Sequence, residues 1–182
     1  VERVTATPAQ ESYPIWSPDG RALQFYDQLR PLSLYVTRRG EGGRWSPVLV
    51  ASGARASDWS PDGRSIVYVQ SESDAHPGSI LVVPAEGGGA RRLFDPSATE
   101  PPADQAVWGP DGRTIYYKAH DALGRASLWV VSAAGGTPRL LVRFRNPNRP
   151  SSRKDFATDG RRFYFAIEDR QSDVFVAELI ER

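Results

Sequence analysis

"WSPDGR" at residues 16–21 is written again at 59–64, returns as "WGPDGR" at 108–113, and closes the series as "FATDGR" at 156–161. The glycines of the phrase, Gly20, Gly63, Gly112 and Gly160, stand 43, 49 and 48 residues apart. Self-similarity at that spacing marks a chain built from repeated supersecondary units, and roughly 40–50 residues suits a unit of four short strands.

The phrase encodes a turn. In Ser-Pro-Asp-Gly the proline presets φ for the second position of a type I turn, aspartate tolerates the third, and glycine accepts the left-handed conformation that follows. Such a turn joins antiparallel strands. Asp19, Asp62, Asp111 and Asp159 hold the same place in the four copies, and the last copy keeps Asp-Gly after losing its proline. After each turn the apolar residues alternate with period two: Leu23, Ile66, Ile115 and Phe163, then Phe25, Tyr68, Tyr117 and Phe165. This is the pattern of a half-buried strand. A third strand follows as "SLYVT", "SILVV", "SLWVV" and "DVFVA", then glycine clusters and the outer strands "WSPVLV", "ARRLF" and "PRLLV".

These features predict an all-β protein, a single β-propeller domain over 1–182 of four four-stranded antiparallel blades. The blades fall near 12–50, 55–94, 104–143 and 153–182. The last unit ends after its third strand, and "VERVTAT" at 1–7 reads as the missing outer strand. Pairing of 1–7 with the last blade would close the ring and remove bare sheet edges. Either the same chain or a second copy could supply that strand, the latter giving an eight-bladed homodimer.

Charge is almost balanced, 23 Lys+Arg against 22 Asp+Glu, which excludes a dominant electrostatic pull toward nucleic acid. Lys118 and Lys154 are the only lysines, the other cations being arginine, a bias that reads as codon usage. The chain has no cysteine, hence neither disulfide nor thiolate metal site, which fits an extracytoplasmic, oxidising compartment. It has no methionine, even at position 1, as expected of a piece of a longer product. No apolar run approaches the length of a membrane span, so no membrane insertion is expected from this segment.

W-S-P-D-G-R, an alternating strand, S-[LI]-x-V-V, a glycine turn and an outer strand together resemble the TolB-like propeller repeat, a relative of WD-type repeats. The closing passage "FYFAIEDRQSDVFVAEL" is similar to the C-terminal end of large bacterial proteins that carry such repeats. The resemblance implies an interaction or sensor domain whose partner is another protein or a peptide. Propellers of this family usually have more than four blades.

Function is expected on the face opposite the motif turns, where the variable loops gather. The loops between second and third strands carry Asp27, Glu72, Asp74, Asp121, Glu168, Asp169 and Asp173 against Arg30, Arg125 and Arg170. The plain reading is a solvated surface; the sharper one is an acidic ring for a cation or basic peptide. His76 and His120, the only histidines, fall in the same loops, but two histidines without a third ligand make no metal set. The connection at 95–104 is acidic, with Asp95, Glu100 and Asp104; that at 143–154 is basic, with Arg143, Arg145, Arg149, Arg153 and Lys154. The plain reading is that these neighbouring connections compensate each other; the sharper one is a basic loop for an acidic partner, with nucleic acid disfavoured because the interleaved aromatics needed for stacking are missing.

The motif aromatics Trp16, Trp59, Trp108 and Phe156 recur once per unit and are expected to pack between blades. Trp129 is expected to be structural, and Trp45 to be exposed. No nucleophile elbow, phosphate loop or zinc motif is present. No cofactor is expected, and the leading expectation is non-catalytic. The alternative is an enzyme-associated propeller, either a peptidase gate or a metal-dependent lyase fragment using His76 and His120.

Overall fold

The computed structural model describes residues 3–5, 10–28, 32–70, 78–94, 101–146 and 149–168. Three four-stranded antiparallel sheets follow one another along the chain. The first comprises β1 (Glu11–Trp16), β2 (Ala22–Asp27), β3 (Ser33–Arg39) and β4 (Trp45–Ser52). The second comprises β5 (Ala54–Trp59), β6 (Ser65–Gln70), β7 (Ile80–Pro84) and β8 (Arg91–Phe94). The third comprises β9 (Ala103–Trp108), β10 (Thr114–His120), β11 (Ala126–Ser132) and β12 (Arg139–Arg143), and a two-stranded ladder, β13 (Phe156–Thr158) with β14 (Phe163–Phe165), comes last. The expected third strand at 173–177 lies outside the described residues, as does most of 1–7, of which residues 3–5 are described and carry no strand.

Each motif is the turn its sequence encodes. Gly20 N–H donates to Ser17 O and Gly63 N–H to Ser60 O, both at 2.9 Å, with the glycines at φ +69° and +68°. The aspartate braces the turn from inside. Asp62 Oδ1 accepts from Ser60 Oγ at 2.6 Å and from Arg64 N–H at 3.0 Å. Asp19 repeats this with Ser17 and Arg21. In the third unit Gly109 replaces the serine, and the Thr114 hydroxyl donates to Asp111 instead, at 2.6 Å. In the fourth, Asp159 Oδ1 takes the N–H groups of Arg161 and Arg162. The turn survives loss of the proline because the aspartate still caps it.

The central strands differ from the half-buried expectation. Ile66, Val67, Tyr68 and Val69 are all buried although they point alternately to both faces of the second sheet. The sheets stack face to face, so a middle sheet is covered on both sides. One core joins the first and second sheets through Leu34, Val36, Trp59 and Ile66. The other joins the second and third through Val69, Phe94, Ile115 and Tyr117. Truncating a fully buried member such as Ile66 to alanine costs about 2–5 kcal/mol.

Polar contacts fix the stacking. Trp59 Nε1–H donates to Ile15 O at 3.2 Å across the first junction. At the second, Trp108 N–H donates to Asp58 Oδ2 at 2.8 Å, and Arg55 gives Nη1 to Asp104 O and Nη2 to Ala103 O, both at 3.1 Å. Burial raises the Asp58 carboxyl above its ordinary pKa although the backbone N–H groups of Trp108 and Trp59 work against it.

Trp16 departs from expectation. It is 53% exposed, and its ring contact among the described residues is edge-on with Trp45 of its own sheet, centroids 6.0 Å apart. Trp59, by contrast, is buried against the sheet before it. The physical reason is order: no described sheet precedes the first.

Candidate functional site

The first strands of the three sheets, β1, β5 and β9, together with Tyr26 of β2 and residues 154–155, frame a cavity of about 480 Å³. Each of the three strands carries a register irregularity where it lines this space: between Ser12 and Ile15, between Arg55 and Asp58, and at Asp104, where Lys118 pairs Gln105 but Ala119 pairs Ala103. Two residues there take left-handed backbone, Tyr13 at φ +53° and Ala56 at φ +48°. An L-residue pays roughly 1–2 kcal/mol for that conformation. Bulges of this kind re-aim side chains and gather at functional sites.

Tyr13, Ile15 and Tyr26 form the apolar side of the cavity; Gln105, Lys154 and Asp155 belong to its polar side. Tyr13 is 70% exposed and meets Tyr26 edge-on, at 6.4 Å and 82°. Arg55 Nε, a buried atom of a lining residue, has no hydrogen-bond partner among the described residues, and Tyr26 Oη lies beside Ser57. Burial raises the Tyr26 phenol, with neighbouring Ser57 and Arg55 too weak in effect to offset it.

Behind the polar side lies a charged cluster at the junction of the third sheet with the last ladder. Lys118, fully buried on β10, donates Nζ–H to Ser151 Oγ at 2.7 Å and also to Arg153 O. His120 sits between Asp104 Oδ2, 2.6 Å from Nδ1, and Ser151 O, 2.9 Å from Nε2. Lys154 Nζ reaches the other Asp104 oxygen at 3.2 Å. The hydrogen bond to Asp104 raises the His120 pKa against the effect of burial. Burial pushes Asp104 upward, but His120 and Lys154 outweigh it and hold the carboxyl below its usual range. Lys118 is lowered by burial, with Asp155 and Asp104 opposing. Ser151 Oγ is itself committed as a donor to Ala166 O at 2.6 Å and is buried, so the Lys118–Ser151 pair is a brace rather than a nucleophile with its base.

The loop-face candidates from the sequence are placed elsewhere. His120 is not on an open loop: it ends β10, opposite Ala126, and is engaged on both ring nitrogens. Asp121 spends its oxygens on its own turn, Oδ1 on the Leu123 and Arg125 N–H groups and Oδ2 on Arg125 Nε. Asp27 closes β2 opposite Glu11. Glu168 accepts from the Ser152 hydroxyl. Arg145 and Arg149 are exposed on the connection after β12. None of these lines the central cavity. Asp74, His76 and Asp169 lie outside the described residues. Among the described residues no group of three acidic, histidine or cysteine side chains is placed to hold a metal, and no helix is long and apolar enough to cross a membrane.

Sequence reasoning missed Tyr13 and Arg55, and it named Asp104, Lys118 and Lys154 without bringing them together here. One signal was available: both lysines of an otherwise all-arginine chain meet at this junction.

Successive four-stranded antiparallel sheets stacked face to face give the chain the fold of a β-propeller segment, and it resembles the TolB-like propellers. TolB of Acinetobacter baumannii superimposes with a TM-score of 0.60 over 91% of this chain and 42% of its own, at 19% identity. Dipeptidyl peptidase 4 of Porphyromonas gingivalis gives 0.58 over 80% of this chain and 27% of its own, at 14% identity. At such identities the likeness is one of fold. In sequence the chain is 30% identical over 114 residues to the uncharacterized peptidase YuxL of Bacillus subtilis, spanning 16% of that protein. No protein-family model matches the chain.

Proposed function

We propose that this chain is a non-catalytic binding module, a propeller segment of a larger bacterial protein that takes a ligand or peptide at its central cavity. The observation that carries the reading is the convergence on one ligand-sized space of bulged inner strands, an exposed strained tyrosine and polar groups from several sheets. The test is ligand-observed NMR on the intact chain with a panel of short peptides, sugars and small organic acids. Binding that falls in a Tyr13→Asn variant is expected. Absence of any hit, or hits indifferent to the cavity, would overturn it.

The sequence match to YuxL favours a second reading, the propeller portion of a peptidase. Its test is a chromogenic peptide assay on the full-length parent protein beside this chain alone. Hydrolysis by the parent would support it, and this chain alone is expected to be inactive.

Four blades closed by residues 1–7 belong to the same proposal. The exposure of Trp16 supports a further layer against the first sheet, supplied by this chain or by a second copy in an eight-bladed pair. Extracytoplasmic placement, which the cysteine-free composition fits without requiring, belongs to the same proposal, and cell fractionation of the parent tests it.

A further inference from the structure

Among the strands of the repeat, the inner one differs in residue type from unit to unit just before the motif aromatic. The three residues before each motif aromatic are Tyr-Pro-Ile at 13–15, Ala-Ser-Asp at 56–58, Gln-Ala-Val at 105–107 and Arg-Lys-Asp at 153–155. Turns and outer strands are repeated in kind; these positions are not. A symmetric packing role would favour four similar residues here, as it does for the valines and isoleucines of the third strands. The structure brings residues from each of the four stretches to one cavity, Tyr13 and Ile15 from the first, Ala56 and Ser57 from the second, Gln105 from the third and Lys154 and Asp155 from the fourth.

The apolar and the charged lining residues of that cavity select different chemistry. Tyr13 and Ile15, 70% and 39% exposed, offer an aromatic edge and an aliphatic surface. Tyr13 is held in its left-handed conformation by the bulge that turns its ring toward Tyr26. The same cavity is lined by adjacent groups of unlike charge, Lys154 and Asp155, both exposed. Lys154 shares its carboxylate: Asp104 already engages His120 through its other oxygen, so the ammonium keeps capacity for a second anion. Arg55 is fixed by the Ala103 and Asp104 carbonyls and contributes a rigid wall rather than a mobile clamp.

We infer that the cavity binds a short peptide with free termini and an apolar or aromatic side chain. The carboxylate goes to Lys154, the amine to Asp155 and the side chain to Tyr13 and Ile15. This rests on the binding-module reading and names its ligand. The charged head fixes orientation, because a zwitterion matches neighbouring unlike charges, and a neutral sugar does not draw on them. The aromatic edge adds contact area and ring–ring attraction.

The experiment is isothermal titration of the intact chain with the dipeptide Ala-Phe, with N-acetyl-Ala-Phe-amide and with cellobiose. Saturable binding of Ala-Phe is expected, weakened at least tenfold by blocking the termini. Lys154→Gln and Tyr13→Asn should each weaken it similarly; asparagine tolerates the left-handed backbone, and circular dichroism verifies the fold. Equal binding of Ala-Phe to wild type and both variants would remove the cavity as its site and overturn the inference. Tyr13-dependent binding of cellobiose without Ala-Phe would overturn the ligand class and leave the binding module standing. Failure of all three probes and of the NMR panel would overturn both.

Discussion

His120 Nδ1 lies 2.6 Å from Asp104 Oδ2 while its Nε2 faces the Ser151 carbonyl at 2.9 Å. Carboxylate and carbonyl only accept hydrogen bonds, so the imidazolium satisfies both contacts and neutral imidazole satisfies one. The raised pKa of His120 follows from that geometry. Its folded value exceeds the unfolded one, so the linked stability is full below the ordinary histidine range and is lost as pH rises through the folded pKa. Asp104, held low, stays ionised across that window. Comparing wild type with His120→Gln in urea from pH 5.5 to 8.5 subtracts groups common to both, Lys118 and Lys154 included. The stability difference should be largest at the acid end and shrink toward pH 8.5 as the imidazolium loses its proton. A difference that does not change with pH would contradict the assignment.

Lys118 carries the other half of this junction. It is fully buried and ties β10 to Ser151 and Arg153. Lys118→Met keeps the length of the side chain and removes both bonds, leaving Ser151 Oγ without its donor. The expected loss is about 2 kcal/mol. Hydrogen exchange should show the loosening first in β13 and β14, with the first two sheets unchanged. Uniform acceleration across all sheets would mean that the lysine supports global rather than junction stability.

How much of this was legible in the sequence depends on how local each cause is. The motif turns were, because proline, aspartate and glycine act within four residues, and Asp62 and Asp159 do what the pattern implies. Strand positions were, because period two is local. Burial of both strand faces was not, since it comes from sheets stacking on Ile66 and Val67 from opposite sides. The cavity was hidden for a similar reason. Tyr13 and Ala56 turn left-handed through bulges whose position is set by the neighbouring strand. His120 looked like a loop histidine because nothing near it in sequence names Asp104 or Ser151, which are 16 and 31 residues away.

Two glycines with nearly equal φ should respond unequally to alanine. Gly63 has φ +68°, and an added Cβ would meet only Pro18 Cδ at an ordinary 3.8 Å. Its cost is the left-handed backbone alone, about 1 kcal/mol. Gly78 has φ +76°, but its Cβ would fall 2.3 Å from Pro102 Cβ and 2.8 Å from Pro102 Cα. Backbone must then move where Ala103 N–H binds Gly78 O at 3.1 Å, uniting the second sheet with β9. Gly78→Ala should cost about 3 kcal/mol or more, in the range of severe steric and backbone substitutions. Chemical denaturation of both variants checks the ordering, and equal costs would remove the Pro102 approach as a determinant.

Trp16 and Trp59 occupy the same motif position in different surroundings, one half exposed and the other buried with its Nε1 on Ile15 O. Trp59→Ala should cost about 3–5 kcal/mol wherever the chain is isolated. The effect of Trp16→Ala depends on what covers the first sheet. If the last unit of the same chain lies there, light scattering gives one mass, near 20.1 kDa, for wild type and variant alike, and stability falls in a concentration-independent way. If a second copy lies there, wild type has twice that mass and Trp16→Ala shifts the population toward single chains on dilution. If nothing covers it, the substitution changes neither mass nor stability beyond about 0.5 kcal/mol, as for an ordinary surface site. That last outcome would remove the closed-ring proposal in both of its forms, because each places a packed layer against the Trp16 ring.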